Sequence, residues 1–383
     1  MQAVKRNILL NPGPATTSDS VKLSQVVPDI GPREPEFGDL MAYISVELTR
    51  LVGDPDHYTT VLFGGSGTAA VESMISSVLA EQDVVVVINN GAYGKRICEI
   101  AEAYGLHYLE FKSPSDDAID LAALEGFIQA SGRAISHLAV VHHETTTGLL
   151  NDIKAIGELC SRYRIDMIVD AMSSFAAVPI QMKEMNVRYL AASSNKNLQG
   201  MAGVSFVVAE KNKLESLKYK MPRNYYLNLY AQYKYFSEHR QMRFTPPVQT
   251  LYALKQAIEE LKQEGVQERY ERYVNSWTTL IHGITRLGLT YLVPDQYHGK
   301  IVTSILEPVC AAFRFQEMHD YFYSEGITIY PGKLDRLNTF RIATMGDIAY
   351  QDIETFLERL EHYLQSIGFV KREEETGDVG DKR

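Results

Sequence analysis

From residue 59 to residue 210, short β-branched runs alternate with segments of helical period, and this alternation constrains the fold more than any other feature. The runs TTVLFG (59–64), DVVVVIN (83–89), HYLEF (107–111), SHLAVVHH (136–143), DMIVD (166–170), VRYLAAS (187–193) and GVSFVVAE (203–210) are mostly apolar without a break. A strand with one wet face alternates polar and apolar residues, whereas one covered on both faces need not. Between the runs lie stretches such as TAAVESMISSVLAEQ, where Val71, Met74, Ile75, Val78 and Leu79 recur at helical spacing. The pattern predicts an α/β body, a mostly parallel sheet with helices on either side.

After about residue 250 the texture changes. A long helical stretch from Leu251 to Gly288 leads to a mixed segment with strands near 301–306 and 339–343, then to a last helix, YQDIETFLERLEHYLQSIG. This reads as a smaller α+β domain joined through a long helix. The expected division is a large domain over 15–255, a small one from 1–14 and 256–370, and a charged, disordered tail over 371–383. A net charge of −10 argues against nucleic acid or an anionic membrane as the main partner. Cys98, Cys160 and Cys310 show no metal or disulfide spacing, and no apolar stretch reaches the length of a membrane span, so a cytoplasmic protein is expected.

Three local features carry chemistry. FGGSGTAAVES (63–73) is a glycine-rich turn between strand and helix, able to cradle a phosphate on helix N-terminal amides, or simply a tight turn. Asp170 ends DMIVD, where open α/β sheets place ligands, although a turn or capping aspartate would also end a run this way. Lys196, in LAASSNKNLQG, follows another strand end, a poor place for a lysine unless its amine is solvated, paired or used. Pyridoxal 5'-phosphate needs all three together. Its phosphate must be anchored, its ring nitrogen kept protonated by a carboxylate, and its aldehyde bonded by a lysine amine.

With GPREPEFGDLM (31–41), NGAYGKR (90–96), HHETTTGLLNDI (142–153), VDAMSSF (169–175) and SSNKNLQGMAGVSFV (193–207), these motifs resemble the class V pyridoxal-phosphate aminotransferases. The resemblance runs from LLNPGPATTSDSVK to FRIATMGDI. It implies the fold-type I architecture, a large domain with a mostly parallel seven-stranded sheet between helices and a smaller α+β C-terminal domain. By the same resemblance Ser66, Gly67 and Thr68 bind the phosphate, and Tyr93 stacks on the pyridine ring unless it is a core tyrosine. Thr145 donates to the ring oxygen, with Thr146 one residue along as the alternative. Asp170 pairs with the pyridine nitrogen and Lys196 carries the cofactor. Thr245, in MRFTPP, reaches the phosphate of a neighbouring subunit's cofactor, implying a homodimer with shared active sites, unless it marks an ordinary X-Pro turn. Arg341, in TFRIATMG, receives the substrate's acidic group unless it is a surface strand arginine.

The reaction implied moves the amino group of 2-aminoethylphosphonate to pyruvate, giving phosphonoacetaldehyde and L-alanine. The alternative within the class is alanine or serine with glyoxylate or pyruvate. Arg33 is a weaker candidate, a second cation for a phosphonate or a partner of Glu34 or Glu36. His142 and His143 have no partner cluster at metal spacing and read as structural. Tyr225, Tyr226, Tyr230, Tyr233 and Tyr235 read as packing at a domain or dimer junction. Asn197 and GMAGVSF depart from the usual residues around the lysine.

Overall fold

The computed structural model describes residues 5–332, 334 and 337–371. Seven strands form the main sheet: β1 (Tyr58–Gly64), β2 (Val84–Asn89), β3 (His107–Lys112), β4 (His137–Val141), β5 (Asp166–Asp170), β6 (Val187–Ser193) and β7 (Val204–Glu210). Their order across the sheet is β1-β7-β6-β5-β4-β2-β3. Strand β7 is antiparallel to both its neighbours, and every other pairing in the sheet is parallel. The C-terminal ends of β1, β2, β4, β5 and β6 therefore open on one side. The chain passes from β2 out to β3 and then returns to β4 on the other side of β2, a topological switch point of the kind that holds ligands.

Burial explains the unbroken apolar runs. Along β2, Val86 and Ile88 enter one core while Val85 and Val87 enter the other. The first core is covered by helices α1 (Pro35–Arg50), α4 (Leu121–Ala130), α5 (Ile153–Tyr163) and α7 (Val248–Glu264); the second by α2 (Gly67–Val78) and α3 (Ala92–Ala103). Helix α6 (Leu229–His239) packs near the β1 edge. At the other edge β3 is the least buried strand, as an edge position requires.

The second body holds α8 (Val266–Arg286), strand β8 (Val302–Leu306), α9 (Phe315–Ser324), strands β9 (Tyr330–Pro331) and β10 (Thr339–Ala343), and α10 (Tyr350–Ser366). Its sheet runs β8-β10-β9, antiparallel throughout. Ile8–Leu9 pairs in parallel with Ile327–Thr328, so the start of the chain packs here. One expectation is corrected. The helical pattern after residue 250 is two helices rather than one, broken at Gly265, whose φ of 92° puts it in the left-handed region. The expected tail lies, from residue 372 onward, outside the described residues. Among the described residues no helix is long and apolar enough to cross a membrane.

Two helix glycines give opposite expectations for the same substitution. A Cβ on Gly157 in α5 would lie 1.9 Å from the Met185 carbonyl oxygen, whereas one on Gly126 in α4 would meet nothing within 4 Å. Gly157→Ala should cost about 1–3 kcal/mol through overpacking. Gly126→Ala should instead gain about 0.5–1 kcal/mol from helix propensity. Urea unfolding of the two variants checks both signs.

Candidate active site

Helix α2 starts directly beyond β1, and its first turn faces the open end of the sheet. Ser66 stands at the N-cap in extended conformation, and its hydroxyl makes no capping bond. The Gly67 and Thr68 amides are thus not closed by their own cap, which suits a bound anion. A Cβ on Gly67 would lie 2.4 Å from the Met172 sulfur, so the loop after β5 packs directly on this turn.

Asp170 is the last residue of β5, between Val141 of β4 and Ala191 of β6, and is 5% exposed. Its Oδ1 accepts the Met172 N–H at 2.9 Å. Burial raises its pKa, opposed by that hydrogen bond and by the charges of Arg96 and Lys196.

Lys196 lies three residues past the end of β6, in a turn. Its Nζ donates to the Pro12 carbonyl. A Cβ on Gly13 would sit 2.7 Å from Lys196 Cε, so a glycine is what lets the N-terminal segment lie against this side chain. Asn197, one of the departures noted above, anchors the turn by donating to the Ser173 and Phe175 carbonyls at 3.1 and 3.0 Å.

Ser66, Gly67, Thr68, Tyr93, Asp170 and Lys196 line one cavity of about 460 Å³. Tyr93 is held through its N–H on Glu144 Oε2 at 3.2 Å. Three residues along the same helix, the Arg96 guanidinium sits 4.7 Å from the Tyr93 ring centroid and donates to Thr68 Oγ1 at 3.4 Å. Thr145 and Thr146 separate cleanly. Thr145 Oγ1 is 2.6 Å from the hydroxyl of Ser173, which lines the cavity, whereas Thr146 Oγ1 donates to Glu144 Oε1. Arg341, in the middle of β10, is buried, with 1% exposed. Its Nε donates to the Pro331 carbonyl at 3.0 Å, and its Nη1 has no partner among the described residues. Burial lowers its pKa, with Tyr93 and Glu144 opposing.

Thr145 and Arg341 are not themselves among the residues that line this cavity, and the remaining candidates lie elsewhere. Thr245 is exposed and does not line its own chain's cavity. Its neighbour Phe244 stacks on Tyr226, whose hydroxyl donates to the Gly64 carbonyl at the end of β1. Arg33 lies outside the cavity, exposed, and donates to Tyr235 and Gln241 at 3.1 and 2.8 Å rather than to Glu34 or Glu36. His142 and His143 are buried, with Nδ1 of the first and both ring nitrogens of the second unpartnered. Among the described residues no group of three or more His, Cys, Asp or Glu could hold a metal ion. Arg96, Ser173, Glu144 and the Pro12–Gly13 segment are additions. The spacing of Tyr93 and Arg96, which share a helix face, was the available signal for the first.

The donor set fits pyridoxal phosphate. The uncapped helix start suits its phosphate, the buried Asp170 favours a cationic ring nitrogen, and Lys196 offers an amine to its aldehyde. Fold and site together define a class. The Aminotransferase class-V family profile matches residues 25–333, and the chain belongs to that family, with the fold-type I architecture. Among curated proteins it is 38% identical to the 2-aminoethylphosphonate–pyruvate transaminase of Klebsiella pneumoniae subsp. pneumoniae, over 93% of this chain and 97% of that one. It is 37% identical to the protein of the same name from Salmonella paratyphi B, over 91% and 95% of the two chains. Among solved structures it is similar to an alanine–glyoxylate aminotransferase from Nostoc sp., with a TM-score of 0.88, 26% identity, and 95% and 96% of the chains covered.

Two stability predictions follow from burial. Asp170→Asn keeps the acceptor for Met172 and removes a charge whose folded pKa is raised, so the cofactor-free variant should melt at an equal or higher temperature at neutral pH. A clearly lower melting temperature would contradict this. His137, His142, His143 and His298 have pKa values lowered by burial from 6.5 to about 4, 4, 3 and 4. The unfolded chain then binds more protons than the native one below pH 6.5, so these groups remove stability as pH falls from 6.5 toward 4. His143→Asn should flatten the dependence of the urea midpoint on pH in that window.

Proposed function

We propose that this protein transfers the amino group of 2-aminoethylphosphonate to pyruvate, yielding phosphonoacetaldehyde and L-alanine, with pyridoxal 5'-phosphate carried on Lys196. The observation that carries the chemistry is the convergence of Lys196, Asp170 and an uncapped helix start on one cavity. Support for the substrates is the shared name of relatives matched nearly end to end. When bound, the cofactor supplies an electron sink that acidifies the carbon bearing the amine.

The residues divide the work. The Gly67 and Thr68 amides, with the Ser66 and Thr68 hydroxyls, hold the phosphate at the positive end of α2. Asp170, buried at the end of β5, would accept from the ring nitrogen and favour its protonated form. Tyr93 in the cavity wall would cover the ring, and Thr145, whose hydroxyl meets that of Ser173, would donate to the ring oxygen. The Lys196 amine would hold the cofactor through its aldehyde, and in the reaction that amine would serve as the base that takes the proton from the substrate carbon. Arg341 receives the acidic group of either substrate through its unpartnered Nη1, and Arg96 supplies a cation in the cavity wall itself. Thr245 reaches the phosphate in a second copy of the chain, making the enzyme a homodimer with shared sites. Free Cys98, Cys160 and Cys310 support a cytoplasmic setting.

Purified protein with pyridoxal phosphate should show a visible band that 2-aminoethylphosphonate bleaches without any keto acid, and that pyruvate restores with release of alanine. A band that answers only to alanine or serine would move the protein to the alternative substrate pair. Arg341→Lys should raise KM for both acidic substrates about 10- to 100-fold, the loss of charge-assisted bonds worth about 1.5–3 kcal/mol. Steady-state kinetics check this.

A further inference from the structure

The Lys196 turn is gripped from two sides, and the second grip comes from outside the main sheet. On the sheet side Asn197 holds the Ser173 and Phe175 carbonyls, and the Gly200 N–H closes on the Ser194 carbonyl at 2.8 Å. On the other side Arg269 Nη1 donates to the Asn197 carbonyl at 2.7 Å, and Gln199 Nε2 donates to the Tyr273 hydroxyl at 2.8 Å. Arg269 and Tyr273 lie one turn apart on α8, at 1% and 0% exposure.

The same helix turn also holds the segment after β10, the strand that carries Arg341. The Tyr273 hydroxyl accepts the Gly346 N–H at 3.0 Å. Arg272 Nη1 donates to the Gly346 and Ile348 carbonyls at 2.9 and 2.6 Å. Glu264 orients both arginines, accepting from Arg269 Nε at 2.6 Å and Arg272 Nε at 2.7 Å. The N-terminal segment closes the ring. Ala15 N–H donates to the Asn195 carbonyl at 3.0 Å, and Asp347 N–H donates to the Thr16 carbonyl at 2.8 Å.

We propose that Arg269 and Tyr273 are positioning residues: α8 is a strut that fixes the Lys196 turn relative to the strand bearing Arg341. This rests on Lys196 being the reactive lysine. A substrate held at its acid end by Arg341 must present its amine-bearing carbon to Lys196, so both anchors must keep a set separation. A misplacement of about 1 Å at a reacting centre costs on the order of 100-fold in rate. A buried charge such as that of Arg269 is a poor way to gain stability alone, whereas it fixes one geometry well. Tyr273 sits at the crossing, its hydroxyl bonded both to the lysine turn and to the turn after β10.

The test uses the full chain without cofactor. Tyr273→Phe removes the hydroxyl with little change of volume, and Gln199→Leu removes the same bond from the other end. Hydrogen exchange of the amides at 197–200 should quicken by about tenfold in both variants, a loss of about 1.4 kcal/mol of local protection. The urea midpoint should move little in Gln199→Leu. In cofactor-loaded enzyme both variants should lose kcat by about 10- to 100-fold with KM for either substrate nearly unchanged, the reverse of Arg341→Lys. Unchanged exchange at 197–200 in both variants overturns the strut, whatever the global stability does. So does a response confined to Tyr273→Phe, which would place the effect in the Gly346 contact alone. The separate failure of wild-type protein to bond pyridoxal phosphate at Lys196 would remove the functional reading, and the strut's role with it.

Discussion

A carboxylate buried at the end of a parallel strand is expensive, and the site is arranged around that cost. Asp170 is walled by Val141 and Ala191 on the neighbouring strands and receives the backbone N–H of Met172. Arg96 and Lys196 act on it through their charge without cancelling the effect of burial. A cation placed against such a group favours its charged form. In the proposed reading a protonated ring nitrogen would be that cation, and its binding would offset part of the cost of burial. The cradle at the start of α2 and the Lys196 turn line the same cavity as this buried charge, the surroundings that the proposed cofactor would meet.

The sheet makes this geometry possible by running six of seven strands in one direction. Candidate groups far apart in the chain then emerge on one side: the α2 start after β1, Tyr93 after β2, Asp170 on β5 and Lys196 after β6 line one cavity, and Thr145 follows β4 beside Ser173. Arg341 arrives from a different sheet altogether, in the second body. In the proposed reading the substrate is gripped at both ends, and the two grips are tied together where α8, the N-terminal segment and the turn after β10 meet.

Much of this was legible in the sequence because burial on both faces leaves an unbroken apolar run, and DMIVD and VRYLAAS match their strands residue for residue. Asp170 and Lys196 stood out because a charged group at the end of such a run is unusual. Other features were not legible, for physical reasons. An apolar run carries no direction, so the antiparallel placement of β7 had no local signature. The apolar period continues across Gly265, so the break between α7 and α8 rests on one backbone angle. Thr145 and Thr146 differ by one residue on an irregular segment, and only the Ser173 and Glu144 contacts tell them apart. Arg33 found its partners about 200 residues away, at Tyr235 and Gln241, beyond the reach of any local reading.

The most direct test of the site is covalent mapping. Purified protein saturated with pyridoxal phosphate would be reduced with borohydride, digested, and its modified peptides sequenced by mass spectrometry. One added group on the peptide containing Lys196, absent from Lys196→Ala, is the result that the geometry of Asp170, the α2 start and the Lys196 turn requires. Modification at another lysine, or none at all, would contradict it.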